Sequence, residues 1–131
     1  MTKALSNKQF GARGEKFAAD HLKKQHYKIL EKNYKTKSGE IDIIARTGDT
    51  IVFAEVKTRP ANAAVAGMYA VNRQKQFHIL RTAARYLEEK GCTLQPRFDV
   101  IEVTLDRDSG KLSSVNHIKS AFAQSESYAR F

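Results

Sequence analysis

A chain of 131 residues with 41% hydrophobic and 28% charged side chains has the size and balance of one globular domain. Its 23 Lys and Arg outweigh 14 Asp and Glu to give a net charge of +9, which favours polyanionic partners, nucleic acid or an acidic membrane surface. No stretch approaches the roughly 18 apolar residues that span a bilayer, the N-terminal MTKALSNKQFG lacks a long apolar core, and the lone Cys92 excludes an internal disulfide, so a soluble cytoplasmic protein is expected.

In chain order, Ser6 or Asn7 caps a helix expected to run to about Gln25, with Phe10, Phe17, Ala18, His21 and Leu22 on one stripe. Gly11 and Gly14 lie on or near that stripe and predict a close backbone approach or a late helix start. Glu15 sits at its border, either solvated or aimed at the edge of a sheet. Tyr27 to Tyr34 reads as a strand, KTKSG as a turn, and Ile41 to Arg46 with Ile51 to Val56 as a hairpin closed by Gly48-Asp49.

Residues 58–70, TRPANAAVAGMYA, read as a loop or partly helical lid. Asn72 then caps a second helix ending at Gly91, with Phe77, Leu80, Ala83, Ala84 and Leu87 on its core face. Gln74, His78, Arg81 and Arg85 form the opposite stripe, which suits a phosphate backbone and equally an ordinary solvated face. Arg97 to Leu105 and Leu112 to Ile118 read as strands around DRDSGK, IKSAFA as a short terminal helix, and residues 124–131 as a tail of a single domain spanning 1–131.

The hairpin carries the chemistry. A two-residue loop sets Thr47 against Thr50, hence Asp42 against Glu55 and Glu40 against Lys57, and the period of two brings Asp42, Glu55 and Lys57 onto one face. Facing carboxylates repel by roughly 0.2–1 kcal/mol on an open sheet, and more when buried. Their largely apolar neighbours predict central strands covered on both sides. A divalent cation would relieve that repulsion. The competing expectation is an edge hairpin whose charges are solvated or paired as Asp42 with Lys57.

Other chemistries find little support. The four histidines have no metal-ligand spacing, Cys92 has no activating histidine nearby in sequence, and neither GxxxxGK[ST] nor GxGxxG is present.

The αβββαβ order, with Asp42 on the second strand and Glu55-x-Lys57 on the third, resembles the PD-(D/E)XK nuclease superfamily. More closely, GARGEKFAADHL (11–22), GEIDIIA, VFAEVKTR, Lys75 with AARYL (83–87) and RFDVIEV (97–103) resemble the YraN-like family of small bacterial proteins. The layout is also similar to archaeal Holliday junction resolvases. The resemblance implies an α/β fold with a restriction endonuclease-like core, a mixed central sheet flanked by helices. It implies a catalytic set of Glu15, Asp42, Glu55 and Lys57, with Asp42 and Glu55 holding Mg²⁺ or Mn²⁺ and Lys57 positioning or helping to deprotonate water. Arg59 and Lys75 would contact phosphate, a salt bridge or solvated role being the alternative for each, and Arg81 and Arg85 would extend the footprint.

The implied substrate is DNA, branched or otherwise structured, with RNA as the other candidate polyanion, and resolvase likeness favours a symmetric homodimer. A nucleic-acid-binding module of the same fold without catalysis is the principal alternative, and a protein-docking role the third. Asp99 is expected to be structural, holding Arg97 or a turn. Where the resembled family carries an aromatic residue before a glycine, this chain has Val65-Ala66-Gly67.

Overall fold

A computed structural model describes residues 4–62 and 71–122. The elements run α1 (Asn7–Lys24), β1 (Lys28–Thr36), β2 (Gly39–Thr47), β3 (Thr50–Pro60), α2 (Arg73–Lys90), β4 (Gln95–Leu105) and β5 (Leu112–Phe122). The five strands form one sheet in sequential order. Every neighbouring pair is antiparallel except β3 with β4. A parallel neighbour needs a crossover, and α2 supplies it. This is a mixed α/β architecture consistent with a restriction endonuclease-like αβββαβ core, with β5 added beyond β4.

The two helices cover opposite faces. Phe10, Ala18, Ala19 and Leu22 of α1 pack on Ile43, Ala45, Val52, Ala54, Ile101 and Val103. Ile79, Leu80, Ala83 and Tyr86 of α2 pack on Ile44, Ile51, Phe53, Phe98 and Val100. The middle strand β3 is therefore enclosed on both faces and at both edges, which overturns the edge-hairpin expectation.

Ser6 caps α1 through a reciprocal box, its hydroxyl accepting from the Gln9 N–H while the Gln9 side chain accepts from the Ser6 N–H. Of the two glycines, Gly14 makes the close approach. A Cβ there would overlap the Thr58 side chain on β3, whereas at Gly11 it would meet nothing. Gly14 thus seats α1 against β3, with Glu15 one residue further on.

Three sequence expectations need correction. The residues expected to begin a loop at Thr58 continue β3 through Pro60, in parallel register with β4 as far as Pro60 opposite Leu105. The rest of the expected lid, including Val65-Ala66-Gly67, lies outside the described residues. IKSAFA is not helical: through Phe122 it prolongs β5, because Phe122 pairs with Phe98 and stacks on it at 5.4 Å. Ser120 takes a left-handed φ of 51° there and donates its N–H to Asp99.

The core face of α2 is rotated from the expected one, burying Ile79, Thr82 and Tyr86 with Leu80 and Ala83, while Ala84 is exposed. Tyr86 completes an aromatic cluster with Tyr34 and Phe53, and Thr82 satisfies its hydroxyl on the His78 carbonyl. The expected tail, residues 124–131, lies outside the described residues.

Candidate active site

The site forms where β2 and β3 part. Their ladder follows the expected register from Thr47 opposite Thr50 to Ile43 opposite Ala54 and stops there. Neither Asp42 with Glu55 nor Glu40 with Lys57 forms a rung. Glu40 pairs on its other side with Lys35 of β1. Alternation also breaks at Asp42, since Ile41 and Ile43, two residues apart, belong to the cores on opposite faces. In place of the next backbone partner, Asp42 Oδ2 accepts the Val56 N–H at 2.8 Å. The carboxylate is thereby fixed between the strands at the point where their ladder ends.

Burial is the main force on Asp42 and pushes its pKa up to about 7, with the Glu55 charge adding to it. The Val56 N–H opposes the rise, and Glu15 and Glu40 contribute further repulsion. Glu55 is also raised, again chiefly by burial, while Lys75 and Lys57 oppose the rise. Asp42 therefore still feels the Glu55 charge, as the hairpin geometry predicts, although no ladder rung joins them.

Glu15, Asp42, Glu55 and Lys57 line one cleft of about 410 Å³, together with Thr58 and Arg107. Glu15 arrives from α1, where the Gly14 contact sets the helix against the sheet. Within reach of Glu15 and Glu40 stands Asn33, a residue of β1 with a φ of 53°. With its amide nitrogen turned to the carboxylates, Asn33 donates to Glu15 Oε2 at 3.2 Å and to Glu40 Oε1 at 3.3 Å. Sequence reading missed Asn33, whose only local signal is an asparagine interrupting a strand.

The basic residues separate into three groups. Lys75, in the first turn of α2 behind its Asn72 cap, reaches Glu55 Oε1 at 3.7 Å and joins the site directly. Arg59 pairs with Glu102 Oε2 at 3.3 Å, an ion pair without hydrogen-bond geometry, while Asn116 donates to the other Glu102 oxygen. Arg81 and Arg85 border a separate depression of about 590 Å³ with Ser38, Glu88 and Glu89. Arg85 there pairs with Glu89 at 3.1 Å, and Arg81 lies over Phe77.

Among the described residues, no three His, Cys, Asp or Glu side chains form a ready-made metal cage. A hard cation such as Mg²⁺ asks less of the protein, one or two carboxylates with water and phosphate oxygens for the rest. The donor set fits that pattern: two hard, partly buried carboxylates that repel each other, one of which is raised to about 7 in the protein alone. Asp42 has only one oxygen bonded to Val56.

Fold and cleft define an α/β protein with a restriction endonuclease-like core whose middle strands carry a carboxylate and lysine cleft. The chain belongs to the uncharacterised protein family UPF0102, whose profile matches residues 14–103. It is 46% identical over 121 residues to a UPF0102 protein of Caldanaerobacter subterraneus subsp. tengcongensis, covering 92% of this chain and 99% of the relative. It is 47% identical over 121 residues to one of Alkaliphilus oremlandii, covering 88% and 99%. A third, from Geobacter metallireducens, is 42% identical over 120 residues, covering 91% and 96%. The matched span contains Glu15, Asp42, Glu55, Lys57, Arg59, Lys75, Arg81 and Arg85, whereas Arg107 falls beyond the family profile. No helix among the described residues is long and apolar enough to cross a membrane.

Proposed function

We propose that this protein is a metal-dependent endonuclease that hydrolyses phosphodiesters in DNA, with branched or otherwise structured DNA as its substrate. One observation carries the reading. Glu15, Asp42, Glu55 and Lys57 come from three different elements and line a single cleft, where burial, with repulsion from neighbouring carboxylates added, raises Asp42 to about 7. A carboxylate cluster of this kind weakens the binding of phosphate unless a cation intervenes.

Asp42 and Glu55 would hold Mg²⁺ or Mn²⁺, which when bound would neutralise charge on the phosphate and lower the pKa of water. Lys57 would orient the attacking water and help to remove its proton. Glu15, held by the Asn33 amide, would accept hydrogen bonds from water at the same cleft. Lys75 opposes the rise that burial imposes on Glu55 and so favours its charged form, the form a cation requires. Arg59 is held beside the cleft by Glu102 and would meet the phosphate backbone there.

The Lys75 contact also favours a second reading. An ammonium group 3.7 Å from Glu55 can replace a metal as the counter-charge, which suits a nucleic-acid-binding module that does not cut. Cleavage of labelled duplex, single-stranded, flap and four-way-junction DNA with Mg²⁺ or Mn²⁺, with Glu55→Ala beside the wild type, separates the two. Cutting by the wild type alone supports the endonuclease. Binding without cutting under either metal assigns the module, and neither binding nor cutting removes both.

A further inference from the structure

The turn between β4 and β5 brings a second chemical feature to the cleft. Arg107 lines it with the carboxylates, although Arg107 and Glu55 lie more than fifty residues apart in sequence. Its guanidinium lies over the ring of buried Phe10 at 4.5 Å and donates to the Asn7 amide oxygen. Both contacts come from α1, and both are neutral. No carboxylate pairs with Arg107 among the described residues, unlike Arg59, Arg85 and Arg97, each of which has one.

This arrangement is poorly explained as a structural clamp. The turn is already closed by the Asp106 carboxylate, which accepts the Asp108 and Ser109 N–H groups. It is already tied to the N-terminal segment by Arg13 Nε donating to the Gly110 carbonyl at 2.9 Å and by the Leu5 N–H donating to the Arg107 carbonyl at 3.2 Å. The Arg107 side chain is not needed for either task. An aromatic face and an amide restrict its motion without neutralising it, so the charge is preorganised for an external anion.

We propose that Arg107 is a substrate-binding residue of the cleft, gripping a DNA phosphate next to the one that reaches Asp42 and Glu55. The proposal rests on the endonuclease reading for its choice of polymer, and it gives that reading a second phosphate position. An arginine fork can engage two phosphate oxygens at once, whereas a lysine provides a point charge.

The test is fluorescence anisotropy of labelled single-stranded and four-way-junction DNA in EDTA, so that nothing is cut, across a salt series. The Arg107→Gln and Arg107→Lys variants are compared with the wild type, with thermal melting and helical circular dichroism on the same samples. The expected result is a loss of about tenfold in affinity for Arg107→Gln with a salt slope lower by about 0.7–0.9, one phosphate contact's worth. Arg107→Lys should keep the slope and lose part of the affinity, and both should melt as folded proteins.

Unchanged affinity and slope in folded Arg107→Gln overturns the proposal and leaves the endonuclease reading standing. Lost binding that merely tracks lost helicity assigns Arg107 to structure and also overturns it. If the Arg107 effect appears while the wild type never cleaves with metal, the phosphate contact holds and the endonuclease reading falls.

Discussion

Asp42 and Asp99 are both largely buried aspartates near the middle of one sheet, and their environments drive them in opposite directions. Asp99 is fully buried, so burial alone would raise its pKa. Instead hydrogen bonds from His117 at 2.7 Å and from Arg97, followed by the Ser120 N–H, hold it below the usual carboxylate range. Asp42 receives one backbone N–H and faces other carboxylates, and it rises to about 7. The first has its counter-charges supplied by the fold, and the second has a deficit. Only the second has a use for an added cation, which is why the proposal puts chemistry at Asp42 and structure at Asp99.

The widest separation should appear in cleavage. Asp42→Asn keeps an oxygen for the Val56 N–H but removes the charge, and should reduce DNA cleavage by about 10³-fold or more while binding stays equal or tightens. Asp99→Asn should leave the rate per folded molecule within a few fold. Measured with active-site titration on junction DNA, a normal rate in Asp42→Asn would remove the site assignment.

Stability should show the reverse order. Truncating Asp99 strands Arg97 and His117 beside one another and should cost about 3–5 kcal/mol in urea unfolding. Asp42→Asn at pH 8, where its repulsion is removed, should be neutral or stabilising in EDTA. If Asp99→Ala unfolds no more easily than wild type, the contrast between the two aspartates fails on its structural side.

The same contrast gives opposite pH slopes. Because the folded Asp42 holds its proton more tightly than its ordinary 3.8 allows, the metal-free protein should lose stability as pH rises from about 4 to about 7, by about 2–4 kcal/mol. Asp42→Asn should lack this decline. Asp99, whose pKa is depressed, stabilises the fold above its unfolded value, and that contribution should vanish as pH falls below it. Unfolding curves in EDTA for the wild type and both variants resolve the two windows, and a wild-type profile flat between pH 4 and 7 would remove the deficit inferred at Asp42.

Much of this contrast is legible in the amino-acid sequence. The Gly48-Asp49 turn, with Gly48 at a φ of 56°, fixes the hairpin register as far as Ile43; spacing groups Asp42, Glu55 and Lys57, and Glu15 joins them only through the family likeness. Asp99 is legible as a structural residue from its neighbour Arg97. What stays hidden is long-range: the transfer of Val56 N–H to Asp42, the Lys75 contact with Glu55, and Arg107 arriving from the turn between β4 and β5. The phase of α2 is ambiguous in sequence because Phe77 and Tyr86 are both plausible core residues, and only packing against Tyr34 and Phe53 selects Tyr86. Likewise, nothing local in IKSAFA announces that Phe122 will stack on Phe98.

The smallest effect concerns the cations outside the cleft. Arg81 and Arg85, expected to follow a phosphate backbone, border their own depression, and Arg85 is compensated by Glu89 much as Asp99 is compensated by Arg97. An exposed, solvent-screened pair of this kind contributes little to stability, so the arginine is readily released to an anion, yet Glu88 and Glu89 repel that anion when it comes. The double substitution Arg81→Ala with Arg85→Ala should therefore weaken junction binding only about two- to fivefold and lower the salt slope by less than the two contacts' worth that free arginines would give. A full loss of about 1.5 in the slope would extend the DNA path across α2 and away from the Asp42 cleft.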